Sequence, residues 1–185
     1  MKEVEVLVEV FSEKSDALNS LKKFNFVGEK KVLDIYFHNE NDSKLQPKNG
    51  HLTECFRLRK RDNHAYIAYK TDYFKEDKWA YSDELETEVN DFETTLQIIF
   101  KLGLKKLVEI NNTKHTFLTD KYEIILEEVE ELGLFLEVER LAIEENENIN
   151  EVKKEIMSFI NSLEIKTSTE LNAGKPELML NNNYD

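Results

Sequence analysis

The sequence predicts an α+β fold in which a closed eight-stranded antiparallel β-barrel forms a tunnel with a polar, charged lumen and helices packed outside. Three observations predict it. Strand-like runs alternate apolar and charged residues with a period of two, and within each run the charges carry one sign. The connections between runs are mostly too short for parallel crossovers. Three segments with helical spacing supply cover for the apolar strand faces.

The first run, EVEVLVEVF from Glu3 to Phe11, sets valines 4, 6 and 8 on one face and Glu3, Glu5 and Glu9 on the other. SEKSDALNSLKKF follows, with Ser12 as the expected N-cap and Ala17, Leu18, Leu21 and Phe24 at helical spacing. KKVLDIYFHN reads as strand, and residues 39–53, rich in turn formers, read as a mobile loop. ECFRLRKR and HAYIAYK form a hairpin across RDN. TDYFKEDKWAYS is expected to be a second long loop, with Trp79 on it, before the strand DELETEV. Asp91 caps a helix over FETTLQIIFKLG, which Gly103 stops. KLVEINNTKHTFLT, YEIILEEV and GLFLEVERLAI are three further strands, a last helix carries Ile149, Val152, Ile156, Ile160 and Leu163, and a weakly patterned tail ends the sequence.

Residues 1–185 read as one domain, because no Pro/Gly/Ser-rich linker divides them. The single cysteine, Cys55, excludes an intramolecular disulfide and makes a reducing cytoplasm the default, while a charged opening and the lack of a long apolar run argue against secretion and membrane insertion. Cys55 reads as a small packing residue, Tyr36 and Trp79 as packing aromatics, and His115 as a solvated side chain. A net charge of −13 repels phosphate backbones, so nucleic acid is not an expected partner, nor is a membrane. What matters is where the few cations lie.

The period of two groups Glu3 with Glu5, Arg57 with Arg59, Glu84 with Glu86 and Glu88, Glu123 with Glu127, and Glu137 with Glu139. A merely solvated sheet has no need of this segregation. If the apolar faces lie under helices, the charges point into a lumen, where crowded carboxylates raise one another's pKa unless a cation sits among them. Oxygen-only ligands suit Mg²⁺ or Mn²⁺, and forked arginines in the same lumen suit phosphate oxygens. The ligand so implied is a metal-bound polyphosphate.

EVEV, DIYF, FRLRKR, AYK, ELETEV and above all ILEEVEELGLFLEVE, in that order, resemble the CYTH superfamily of triphosphate tunnel metalloenzymes, most of all its class IV adenylate cyclase branch. The resemblance covers residues 1 to about 140; the tail is similar only through KPELML. It implies Glu5, Glu137 and Glu139 as metal ligands for Mg²⁺ or Mn²⁺. It implies Glu3, Arg57, Arg59, Lys70, Lys114, Glu84 and Glu86 as substrate-binding residues on the tunnel wall, with catalytic roles for Lys70, Lys114 and Glu127.

Departures accompany the match. Leu7 stands where the opening motif has a lysine, Asn112 and Lys114 where a K-x-R pair is usual, Glu127 where an aspartate is usual, and Ser82 where an arginine is expected. The resemblance implies conversion of ATP to cyclic AMP and pyrophosphate. Two alternatives stand beside it: hydrolysis of tripolyphosphate, thiamine triphosphate or nucleotides, and a weakened nucleotide- or polyphosphate-binding module. A homodimer is also implied.

Overall fold

A computed structural model of the chain describes residues 2–41, 43–48, 51–75, 78–144 and 146–182. The strands are β1 (Lys2–Glu3), β2 (Glu5–Glu9), β3 (Asn25–His38), β4 (Glu54–Arg61), β5 (His64–Lys75), β6 (Lys78–Val89), β7 (Lys105–Leu118), β8 (Tyr122–Val129) and β9 (Gly133–Arg140). The helices are α1 (Lys14–Leu21), α2 (Phe92–Lys101), α3 (Ile149–Asn161) and α4 (Lys175–Asn182). All strand pairs are antiparallel, in the order β1-β6-β5-β4-β3-β7-β8-β9-β2. The two ends of that order are consecutive pieces of one N-terminal segment, separated only by Val4, so the sheet curls strongly and the expected eight strands are present, the first in two parts.

The alternation sorts the side chains as expected. Val4, Val6, Val8, Ile124, Leu126, Leu136 and Val138 face outward and are buried with Ala17 and Leu21 of α1 and with Val152, Ile156 and Ile160 of α3. On the other side of the sheet's circumference, Ile35, Phe37 and Leu58 pack with Ile99 of α2. Each buried aliphatic side chain contributes about 1.5–3 kcal/mol of transfer free energy, so this outer layer is a main source of stability.

Several local expectations are corrected. Ser12 does not cap α1: Glu13 takes the N-cap position without a side-chain bond, and the Ser12 hydroxyl instead accepts from Lys166 N at 2.9 Å. Asp91 does cap α2, accepting from Thr94 N. The expected loop over 71–82 is the continuation of the β5/β6 hairpin, where the strand-prone aromatics Tyr73, Phe74, Trp79 and Tyr81 extend the pairing; Glu76 and Asp77 of that stretch lie outside the described residues. Trp79 is therefore on a strand, and buried. His115 is also buried, 5% exposed, with Nδ1 3.4 Å from Glu29.

The tail holds the largest difference. It forms α4, which does not pack on the outer side of the sheet but covers one end of its concave face, where the inward-facing residues are apolar: Met179 is buried among Leu7, Tyr36, Val108, Ile110, Val129 and Phe135. The stretch leading to α4 runs along the edge of β2 that β9 does not use. Ser168 N donates to Glu9 O and Leu171 N to Leu7 O, at 2.9 and 2.8 Å. No helix among the described residues is long and apolar enough to cross a membrane.

Candidate functional site

The concave face of the sheet encloses a cavity of about 390 Å³, within the range of about 300–1,000 Å³ usual for small-molecule sites. Every residue expected at the site except Glu127 lines it: Glu3, Glu5, Arg57, Arg59, Lys70, Glu84, Glu86, Lys114, Glu137 and Glu139. Glu127 lies fully buried just behind the wall, in contact with two of the lining lysines.

The acidic wall follows from register. Glu5 is paired opposite Glu139, and Glu139 opposite Glu123, so three carboxylates stand side by side across β2, β9 and β8. Burial, then Glu5, Glu3 and Glu137, push the Glu139 carboxyl up to about 8. Burial similarly pushes Glu3 up to about 7, although Lys70 opposes the shift. Among the described residues no cation lies within ion-pair reach of Glu139. Lys70 Nζ stands 3.4 Å from Glu3, 3.4 Å from Glu5 and 3.9 Å from Glu84, and these acids hold its ammonium well above the usual range against the effect of burial.

The basic wall lies on β4. Arg57 Nη2 donates to Glu84 at 2.9 Å and to Glu86 at 3.0 Å. Arg59 donates twice to Asp34, a buried residue of β3 that sequence reasoning missed as part of the site. Burial alone would raise the Asp34 pKa, but the Arg59 guanidinium holds it well below the usual range. Arg57 Nε and Asn112 Oδ1 are buried on the cavity wall without a hydrogen-bond partner among the described residues. Such atoms each cost about 1–3 kcal/mol and are what a polar ligand satisfies.

A second missed residue is Lys175, at the start of α4. Its Nζ donates to Glu127 Oε2 at 2.6 Å and to Glu137 Oε2. Burial would lower its pKa, but Glu127 and Glu137 hold it well above the usual range; Lys175 and then Lys114 in turn hold Glu137 far below its usual range despite burial. Lys114 Nζ lies 3.7 Å from the same Glu127 oxygen, and its pKa is lowered by burial, which outweighs that carboxylate. The only signal for Lys175 was the KPELML fragment; Asp34 carried one, a lone charge at an inward position of an apolar strand.

Other residues of the wall have bland roles. The Cys55 thiol is pushed up to about 12 by burial and is inert. Trp79 Nε1 donates to Ser82 Oγ, which donates to Asp72, while Lys70 and Lys153 approach the indole ring at 5.5 and 5.0 Å.

Among the described residues no three His, Cys, Asp or Glu side chains converge as a ready ligand set, because Lys70 and Lys175 stand among the carboxylates. The donor chemistry nevertheless fits a hard divalent cation: oxygen donors only in the Glu5–Glu139–Glu123 row, with Glu139 outside ion-pair reach of any cation among the described residues.

Comparison with known proteins agrees with this geometry. The family profile described as CYTH domain matches residues 1–173. A curated relative from Methanocaldococcus jannaschii, "Putative adenylate cyclase MJ0240", is 33% identical over 168 residues, covering 89% of this chain and 91% of that protein. Among solved structures, PH1819 protein from Pyrococcus horikoshii OT3 superimposes with a TM-score of 0.78 at 23% identity, over 96% of this chain and 98% of that one. A putative adenylyl cyclase from Hippeastrum, HpAC1, described as having a dominant triphosphatase activity, superimposes with a TM-score of 0.66 at 14% identity, over 94% and 92% of the two chains.

Proposed function

Because the chain belongs to the CYTH domain family, we propose that its sheet closes as a tunnel and that it is a Mg²⁺- or Mn²⁺-dependent enzyme acting on a triphosphate, with ATP converted to cyclic AMP and pyrophosphate as the first reading. The observation that carries the proposal is the confrontation across one cavity of the Glu5–Glu139–Glu123 row with Arg57 and Arg59. The relative named as a putative adenylate cyclase favours the cyclase among triphosphate chemistries.

In this reading Glu5, Glu137 and Glu139 hold the cation, and Arg57, Arg59 and Lys70 grip the phosphate chain. When bound, the metal supplies Lewis-acid stabilisation of charge on the phosphoryl oxygens. Glu84, Glu86 and Asp34 orient the guanidinium groups and keep them charged. The ribose 3′-oxygen attacks the α-phosphorus, the bond to the bridging oxygen breaks, and pyrophosphate departs. We assign the 3′-hydroxyl proton to Lys114, the lumen lysine whose ammonium burial disfavours, with Glu127 positioning it.

A second reading, triphosphate hydrolysis, is favoured by Trp79: lysines approach its ring, so this buried indole does not serve as an open platform for a base. The same wall then serves a bare triphosphate: water attacks the terminal phosphorus, the bond to its bridging oxygen breaks, the diphosphate portion leaves, and the attacked phosphorus becomes orthophosphate.

Incubating the protein with Mg²⁺ or Mn²⁺ and ATP, tripolyphosphate or thiamine triphosphate separates the readings. Cyclic AMP with pyrophosphate supports the cyclase and orthophosphate the hydrolase. Metal-dependent binding without product identifies a binding module, and no binding of any of the three overturns the proposal.

A further inference from the structure

Leu7 faces the lumen between Glu5 and Glu9 of β2 and is paired directly opposite Glu137. It is an uncharged position beside one of the acids assigned to the metal. The positive charge at that place comes from elsewhere in the chain: Lys175 Nζ lies on Glu137 Oε2 and Glu127 Oε2. Its side chain is only 14% exposed, and the other oxygen of Glu127 is buried with no hydrogen-bond partner among the described residues. A buried carboxylate with an unsatisfied oxygen is costly, and Lys114, 3.7 Å from the same Glu127 oxygen as Lys175, is a second cation at these two acids, so Glu127 keeps a positive neighbour if Lys175 moves.

The backbone that delivers Lys175 is well anchored. Glu177 accepts from Gly174 N at 2.5 Å and from Leu52 N at 2.7 Å, and Met179 is buried against Leu7. The Lys175 side chain is therefore presented from a fixed base, and what can change is which anion its terminal atom meets.

We propose that Lys175 is an exchangeable counter-ion of the tunnel: a divalent cation takes Glu137 from it, and the freed ammonium then binds the phosphate chain of the incoming triphosphate. This rests on the triphosphate reading of the site. A metal ion and an ammonium repel each other on one carboxylate oxygen, so a metal that takes Glu137 Oε2, the oxygen Lys175 holds, displaces the ammonium from it. Released from Glu137, it keeps Glu127 and remains in the same cavity as Arg57 and Arg59, where a phosphate oxygen can take the place that Glu137 held. α4 thus contributes a substrate-binding residue, and the uncharged Leu7 leaves the space that the lysine enters.

The competition makes opposite predictions for two ligands, which a merely structural lysine does not. Calorimetric titration of Lys175→Met with Mn²⁺ alone should show affinity raised several-fold over wild type, since the competing cation is gone. Titration of the Mn²⁺-loaded variant with tripolyphosphate should show affinity lowered by about tenfold or more, the size expected for losing one charged hydrogen bond. Lys175→Arg, which keeps the charge, should restore most of the tripolyphosphate affinity.

Unchanged tripolyphosphate affinity in Lys175→Met, or Mn²⁺ affinity that stays level or falls, overturns the proposal. Should Lys175→Met not fold, the wild-type protein with isotope-labelled lysines decides. The Lys175 ε-carbon signal, identified by its loss in Lys175→Arg, must shift on adding Mg²⁺ and again on adding tripolyphosphate, and an unmoved signal overturns the proposal. Failure of the wild type to bind tripolyphosphate at all sinks the triphosphate reading instead, so the two failures are distinguishable.

Discussion

Arg59 holds Asp34 through two parallel hydrogen bonds of 2.7 Å, Nε to Oδ1 and Nη2 to Oδ2, with Asp34 only 3% exposed. The pair fixes the plane of a guanidinium that we assign to the triphosphate, so its carboxylate stabilises the fold and aims the donor. Asp34→Ala is expected to cost about 3 kcal/mol of stability, because it strands a buried arginine without its partner. Urea unfolding of the two proteins measures this, and a loss below about 1 kcal/mol shows the pair to be solvated in practice.

Arg57 Nη2 donates to both Glu84 and Glu86, and its Nε has no hydrogen-bond partner among the described residues. Arg57→Lys keeps the charge and removes the fork. The KM for a triphosphate substrate should rise about tenfold, the scale of one lost charge-assisted bond, with little change in thermal midpoint. Steady-state kinetics at saturating metal test it; an unaltered KM removes Arg57 from the substrate contacts.

Glu5 touches Lys70 and faces Glu139 across the strand pair. Glu5→Gln removes one anionic metal donor while Lys70 keeps Glu3 at 3.4 Å, so the fold should survive. Turnover should fall about a hundredfold or more, on the scale of losing an electrostatic element of the transition state. Product formation with excess Mn²⁺ is the measurement, and a wild-type rate rejects the metal assignment.

The raised carboxyls make stability depend on pH in a definite direction. Glu139 and Glu3 ionise near 8 and 7 when folded and near the ordinary carboxylate value when unfolded. Between those limits the folded state binds more protons, so its stability is complete below about pH 4.5 for these groups and declines as pH rises through 7 and 8. Without divalent metal the thermal midpoint should therefore drop by several degrees from pH 6 to pH 9. Mg²⁺ or Mn²⁺ should restore it chiefly at the alkaline end. Thermal scans across that range, with and without metal, decide; a flat metal-free profile contradicts the crowding of these acids.

The wall of the cavity was legible because a strand has a strict period: once valines 4, 6 and 8 are assigned outward, Glu3 and Glu5 must face the other way, and the same holds for Arg57 and Arg59 about Leu58. Lys175 was not legible, since its place depends on a short terminal helix docking on Leu7 and Phe135, contacts remote in sequence and without local periodicity. Trp79 was misplaced for a different reason. A charged KED stretch reads as a loop, whereas the aromatics on either side of it prefer paired strand.

The free side of β2 is met by residues far along the chain: Glu9 N donates to Ser168 Oγ across 159 positions. A ribosome releases β2 long before that partner has been synthesised, so the nascent chain carries a strand with one flank unsatisfied. Closing that flank is a contact of large sequence separation, the kind that slows folding. Any product stalled before residue 168 presents an open edge prone to pairing with another chain, which is where chaperone dependence should be looked for.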